Sequence, residues 1–508
     1  MADEFRTETD SLGEKRLPAH VYYGIQTHRA LENFPISGMT LPPSMVRAMA
    51  VLKIAAARAH AHLGELDAEV ASAIERAARE VLDGRLDDQF VVDVYQAGAG
   101  TSFHMNVNEV IANRASEMLG GVKGAYLHVH PNDHVNMGQS TNDVIPTAIR
   151  LAALMVLPDM REALSGLAEA FEERASAFED VIKSGRTHLQ DAVPVTLGQE
   201  FRAYARAVRH GLARLMAAAE PLKELGIGGS AAGTGMNTLP AYRGRVVSEV
   251  VQLTGIEVRP SDDLFYAMQS LAPFGDLSAA MRSLALELTR ITNDIRLLAS
   301  GPTTGLNEIR LPAVQPGSSI MPGKVNPSIP EMVNQVCFQV IGHDAAIAFA
   351  VQAGQLELNV MMPMVSHNLL MAMRIMTQAT RVFDERCIRG IEANREVAEA
   401  FAMRSLGLAT ALNPIIGYRA AAEVVKAAQR EGKTIPEIVV AQGLMSPAEA
   451  ERFFSPANLT KPGKLSRPSR EFVATEPEAP HWHAHHPATE SVLPEELLDE
   501  ADEDIPPP

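Results

Sequence analysis

The sequence predicts a mainly α-helical protein built around a bundle of long helices. Three observations carry this. Between Phe274 and Leu298, apolar side chains fall at Phe274, Leu277, Met281, Leu284, Leu288, Ile291, Ile295 and Leu298. The steps alternate between three and four, the spacing of one seam on a packed helix. Aromatic residues make up 5% of the chain and Val/Ile/Thr alternation is scarce, so no large sheet is expected. Gly and Pro gather in clusters, chiefly Gly98–Thr101, Gly228–Thr234, Gly301–Pro302 and Pro316–Gly323, which punctuate the helical stretches.

Taken in order, helices are expected over roughly 143–176, 193–222, 240–254 and 274–298, then from near Pro330, and over 364–395. Arg282, Glu287, Arg290 and Asp294 lie off the central seam. Ser328 is the expected cap of the helix near Pro330. Met332, Val336 and Val340, with Val333, Cys337 and Ile341, are its expected buried stripe. The chain divides into an N-terminal mixed helical domain (1–140), a central helical bundle (141–395), a small C-terminal helical domain (396–465) and an acidic tail (466–508). The seams are long for one subunit, so other copies of the chain are expected to cover them.

Composition narrows the function. The 508 residues are 46% hydrophobic and carry a net charge of −17, which argues against a nucleic-acid partner. Two cysteines, Cys337 and Cys387, make neither a disulfide framework nor a four-thiolate zinc site, which fits a reducing, cytoplasmic compartment. The N-terminus shows no basic-then-apolar signal pattern, and no window is apolar enough to span a membrane. Residues 473–508 hold ten Asp or Glu and no Lys or Arg, and read as a disordered, solvated tail. His481, His483, His485 and His486 sit among prolines there, without the rigid support a metal site needs.

Four separated segments share Ser, Thr, Asn, Gln, His and Gly with few charges. They are GAGTSFHMNVNEV (98–110), HPNDHVNMGQSTND (130–143), GRTHLQDAVPVTLGQE (185–200) and GSSIMPGKVNP (317–327). Each alone reads as a turn or a helix cap. Four together, each opening a predicted helix, suit the holding of small carboxylates by hydroxyls, amides and backbone N–H groups. Lys324 supplies a cation.

GSSIMPGKVNP matches the long signature Gly-Ser-Ser-x-x-Met-Pro-x-Lys-x-Asn, and the chain thereby resembles the aspartase/fumarase superfamily of lyases over residues 8–460. The runs DQFVVDVYQAGAGTS, LQDAVPVTLGQEFRA, GLNEIRLP, PEMVNQVCFQVIG and AGQLELNVM resemble aspartate ammonia-lyases most. HPNDHVNM and GRTHLQDA are shared with class II fumarases, and GAGTS and QSTND are closer to the aspartase forms. The resemblance implies three domains per subunit and a homotetramer whose central helices form a twenty-helix core, with each site drawn from three subunits. It implies a small dicarboxylate substrate; no cofactor and no metal-ligating residue is expected, and an activating divalent metal stays open.

The resemblance also implies roles. Ser318 would be the general base on a mobile loop, with His188 and Lys324 completing the catalytic set. Thr101, Ser140, Thr141 and Ser319 would hold the carboxylate that gains charge. Thr187, Lys324 and Asn326 would hold the other. Asn142 and His188, with Thr101, would face the leaving amine. His130, Asn132 and Asp133 match a helix start that is a second anion site in fumarases. The chain departs from the family at three places. His104 stands where Asn is usual, Met362 where Glu or Lys is common, and Tyr266 where Glu is frequent. These departures read as neutral packing or as marks of another leaving group, since His104 lies one helical turn past Thr101. The expected activity is elimination of ammonia from L-aspartate to give fumarate. The alternatives are a nitrosuccinate lyase releasing nitrite, or a class II fumarase.

Overall fold

The chain opens with an antiparallel hairpin, β1 (Phe5–Asp10) against β2 (Gly13–Pro18). The Arg6 guanidinium ties it to the following segment by donating to the carbonyls of Val21 (2.8 Å) and Tyr23 (2.7 Å). Helix α1 (Ile25–Asn33) has no side-chain cap of its own. Its first N–H groups go instead to the buried Glu109 carboxylate, from Gly24 (2.8 Å), Gln26 (2.9 Å) and Thr27 (3.1 Å). Next come α2 (Pro43–His62), α3 (Ala68–Leu82) and α4 (Thr101–Met118), on which Glu109 lies.

Helix α5 (Thr141–Ala177) is 37 residues long, about 55 Å at 1.5 Å per residue. A hairpin follows, β3 (Ile182–Thr187) with β4 (Gln190–Thr196), then α6 (Leu197–Ala219). The sequence reading carried a helix back to residue 193. The structure puts residues 193–196 in β4, because Pro194 disfavours helical backbone at Val193 and β-branched Val193, Val195 and Thr196 suit a strand. Helices α7 (Tyr242–Thr254), α8 (Leu264–Gln269), α9 (Ala272–Leu298), α10 (Ser328–Gln352) and α11 (Met362–Arg386) follow. The expected run to residue 395 stops at Arg386. The chain turns there and pairs Glu392–Ala393 with Ile309–Arg310. Helices α12 (Arg395–Arg404), α13 (Asn413–Glu431), α14 (Ile435–Ala441), α15 (Pro447–Phe453) and the one-turn α16 (Pro456–Leu459) complete the fold.

This computed structural model describes residues 5–463, 465 and 466. The described residues up to Leu465 form one unit, and the acidic stretch with its His run lies outside the described residues. Every sheet among the described residues has two strands, so the mainly helical expectation holds. Helix α9 packs on α6 and α10, α5 on α6 and α11, and α10 on α11. All eight seam residues of α9 are at most 5% exposed. One apolar cluster runs from Leu41 to Ala398, and a second spans Leu408 to Phe454. On α10 the buried stripe is Val333, Cys337, Val340, Ile347 and Ala350, whereas Met332, Val336 and Ile341 are half-buried. Ser328 is the first helical residue rather than the cap, and Pro327 precedes it without a side-chain cap bond. No helix among the described residues is long and apolar enough to cross a membrane.

Arg58 on α2 clamps two neighbouring helices. It reaches Glu75 on α3 at 2.6 and 2.8 Å and Glu249 on α7 at 3.3 Å. Hydrogen bonds from Arg58 hold the Glu75 carboxyl down to about 2. A depressed carboxylate stabilises the fold above its unfolded pKa and loses that contribution as pH falls through the folded one. Glu75→Gln is therefore expected to cost about 1–3 kcal/mol at pH 7, a cost that shrinks as pH falls toward 2 and vanishes below it. Denaturant melts of both proteins across that range check this.

Candidate active site

Two helix N-termini meet first. Thr101 opens α4 directly after Gly100, whose φ of +89° is left-handed. A Cβ on Gly100 would lie 3.3 Å from Ile145, so the start of α4 rests on the second turn of α5. Ser140 caps α5. Its Oγ accepts the Asn142 N–H (3.2 Å), while Asp143 accepts the Ser140 N–H (3.0 Å). Thr101 is exposed, and Ser140, Thr141 and Asn142 are half-buried. The first N–H groups of such helices carry positive partial charge and suit an anion.

Buried polar contacts lock this corner. The other oxygen of Asp143 accepts N–H groups from Gly228 and Ser230, both at 3.0 Å, and the Asn142 amide donates to the Ala231 carbonyl (2.8 Å). The Gly-rich loop after α6 is thereby pinned to α5. Burial pushes the Asp143 carboxyl up to about 7, against three backbone N–H donors and the Lys53 charge. His104 bridges α4 and α5, its Nδ1 lying 2.9 Å from the Thr141 hydroxyl.

The second group is the tip of the β3–β4 hairpin. Thr187 pairs with Gln190, leaving His188 (φ 56°) and Leu189 (φ 58°) as the two turn residues. Both are left-handed, as a type I′ turn requires, but neither is the Asn or Gly that adopts this backbone readily. Such strain costs of order 1–3 kcal/mol per residue and gathers at functional sites. Thr187 and His188 are exposed at the tip. The stem is held by a buried ion cluster. Lys183 lies 2.6 Å from Glu200 and 3.1 Å from Glu308, and Arg186 lies 2.9 Å from Glu308. Glu308 is fully buried and begins the segment that leads to the signature loop.

That loop is the third group. The Gly317 N–H donates to the Lys324 carbonyl (2.9 Å), and the Asn326 amide donates to the Gly317 carbonyl (2.6 Å). A Cβ on Gly317 would stand 2.3 Å from the Lys324 oxygen, so a side chain there would open the loop. Ser318 Oγ accepts two backbone N–H groups, from Ile320 (3.2 Å) and Met321 (3.0 Å). Ser319 and Lys324 are exposed.

A family model described as lyase matches residues 13–342, and one described as the fumarase C C-terminus matches residues 408–461. The chain belongs to the aspartase/fumarase superfamily of lyases. It is 46% identical to the aspartate ammonia-lyase of Bacillus subtilis (strain 168) over 460 residues, covering 91% of this chain and 97% of the relative. It is 50% identical to the class II fumarate hydratase of Halobacterium salinarum over 467 residues, covering 92% and 99%. Among solved structures it is similar to the cobalt-bound fumarate lyase:delta crystallin of Brucella melitensis, with a TM-score of 0.88 and 49% identity over 90% of this chain and 100% of that one.

In this superfamily member, Thr101, Ser140, Thr141 and Asn142 form one corner, Thr187 and His188 a second, and Ser318, Ser319, Lys324 and Asn326 a third. Within the subunit no hydrogen bond or ion pair among the described residues joins the side chains of one group to those of another. The departures from the family pattern also find places. Met362 is fully buried at the start of α11, and Tyr266 is 47% exposed on α8. His104 is 1% exposed with both ring nitrogens engaged, so it offers no ring nitrogen to a leaving group. His130 caps the turn Pro131–Val135, its Nδ1 accepting the N–H groups of Asn132 (3.2 Å) and Asp133 (3.1 Å). Among the described residues no cluster of three or more His, Cys, Asp or Glu is placed to hold a metal ion.

Sequence reasoning passed over Lys53, Asp143, Lys183 and Glu308. Lys53 had a signal, as the one charge in the apolar run MAVLKIAAA. Asp143 had one in the spacing Ser140-x-x-Asp143. Lys183 and Glu308 had none, because they pair across 125 residues of chain.

Proposed function

We propose that this enzyme removes ammonia from L-aspartate by anti-elimination, giving fumarate, with Ser318 as the general base. The single observation that carries the reading is the placing of Ser318 Oγ on two backbone N–H groups. A serine hydroxyl is a poor base until its alkoxide is stabilised, and fixed donors on that oxygen favour the deprotonated form. The alkoxide takes the proton from the carbon next to one carboxylate, and the electron pair left behind makes that carboxylate a doubly negative aci-form. Thr101, Ser140, Thr141 and Ser319, with the α5 N-terminus, suit this charge. Thr187, Lys324 and Asn326 hold the second carboxylate. Asn142 and His188, with Thr101, face the amine as it leaves with its bonding pair. In the same reading the chain is a homotetramer whose sites combine the three corners from different subunits.

Ammonia is preferred as leaving group because the GAGTS and QSTND runs follow the aspartase forms. The identity to a class II fumarate hydratase favours water as the second reading. Nitrite loses its motive, which was a second imidazole free to meet the leaving group. Purified protein offered L-aspartate, L-malate and nitrosuccinate separately is expected to produce fumarate absorbance and equimolar ammonia from aspartate. Turnover of malate alone would make the enzyme a fumarase, and nitrite release would restore the third choice.

A further inference from the structure

We propose that Lys53 and His104 form a buried relay that fixes the direction of the Thr141 hydroxyl, making it a hydrogen-bond donor toward the bound carboxylate. The inference rests on the reading above, in which Thr141 meets a carboxylate, and it makes Lys53 and His104 positioning residues.

Lys53 is fully buried on α2. Its Nζ meets three groups: Gln139 Oε1 (2.8 Å), His104 Nε2 (2.8 Å) and Asn136 Oδ1 (3.2 Å). The two amides cannot turn their nitrogens toward it without losing other bonds. Asn136 Nδ2 donates to the Gln139 carbonyl (3.2 Å), and Gln139 Nε2 donates to the carbonyls of Val135 (3.1 Å) and Met137 (3.2 Å). Both amide oxygens therefore face the lysine. An ammonium has three N–H donors and no acceptor, so three acceptors match it, and His104 Nε2 must be one of them. A neutral imidazole that accepts at Nε2 carries its proton on Nδ1. Nδ1–H then donates to Thr141 Oγ1 at 2.9 Å. With its oxygen occupied as acceptor, the threonine hydrogen is left to point elsewhere, and Thr141 stands half-buried at the open N-terminus of α5.

The electrostatics bear differently on the two groups. Burial, then the adjacent Lys53 charge, hold the His104 pKa well below its usual value, so the ring is neutral as the relay requires. Burial also pushes the Lys53 pKa well below its usual value, opposed by the Asp143 carboxylate, so the ammonium rests on the three acceptors placed around it. If Lys53 were neutral, its lone pair would face Nε2–H, and the whole chain of bonds would run backwards. Thr141 would then present lone pairs to a carboxylate, which repels them.

The test is a double-mutant cycle on His104→Phe and Thr141→Val, read by calorimetric binding of succinate, a dicarboxylate that cannot eliminate, together with KM and kcat. Losing a hydrogen bond to a charged group is expected to weaken succinate by roughly 10- to 100-fold in each single variant. The double variant should be no weaker than Thr141→Val alone, because His104 acts through that hydroxyl. Losses that multiply, or unchanged succinate binding in His104→Phe, would overturn the relay while leaving the proposed activity standing. Absence of succinate binding by the wild-type enzyme would overturn both. If His104→Phe does not fold, the ring nitrogen signals of the ¹⁵N-histidine-labelled wild type, assigned by comparison with His104→Asn, decide the matter. Protonated Nδ1 and bare Nε2 support the relay, and the reverse tautomer refutes it.

Discussion

Ser318→Ala is expected to lower kcat by at least about 100-fold, the order lost with a general base, while leaving the fold and succinate binding in place. The separation follows from the loop's construction. Its closure depends on the Gly317 N–H to the Lys324 carbonyl and on the Asn326 amide to the Gly317 carbonyl, neither of which uses the serine hydroxyl. Removing Oγ frees the Ile320 and Met321 N–H groups in an exposed segment, where water replaces it at little cost. The carboxylate contacts assigned to Lys324 and Ser319 remain. Turnover at saturating aspartate, with a thermal melt and a succinate titration on the same sample, makes the comparison. A variant that turns over near the wild-type rate would remove Ser318 from the role of base.

Mixing two inactive variants is expected to restore activity from almost none. Ser318→Ala and His188→Ala, unfolded together and reassembled, should regain about one quarter of wild-type turnover if the two residues of each site come from different subunits. The subunit itself motivates this, since His188 and Ser318 stand on groups that share no hydrogen bond within it. The bundle also leaves apolar side chains uncovered, with Leu286 56%, Phe338 57% and Phe349 69% exposed on α9 and α10. Such faces are closed by further helices. Light scattering should give a tetramer mass. A monomer, or a mixture that stays inactive after each variant alone has been shown to refold, would refute the composite site.

What the sequence determined by itself was whatever repeats or clusters locally. The seam from Phe274 to Leu298 is legible because one helical period decides which side chains meet the neighbouring helices, and all eight of its apolar residues are buried. The signature loop is legible because its chemistry sits in eleven consecutive residues. Caps were less legible: Ser328, expected to cap α10, is its first helical residue, and the Ser140–Asp143 capping box went unread. Tertiary structure decided the rest, for a common reason. Val193 to Thr196 carry too few residues for a period to show, and pairing with Ile182 and its neighbours makes them a strand. The helix after Met362 ends at Arg386 because the chain must return to pair with Ile309 and Arg310. His104 looked like a free imidazole one turn beyond Thr101. Its two ring nitrogens meet Lys53, 51 residues earlier, and Thr141, 37 residues later. A hydrogen bond has direction and is satisfied by whichever partner the packing delivers, and no spacing along the chain encodes that partner.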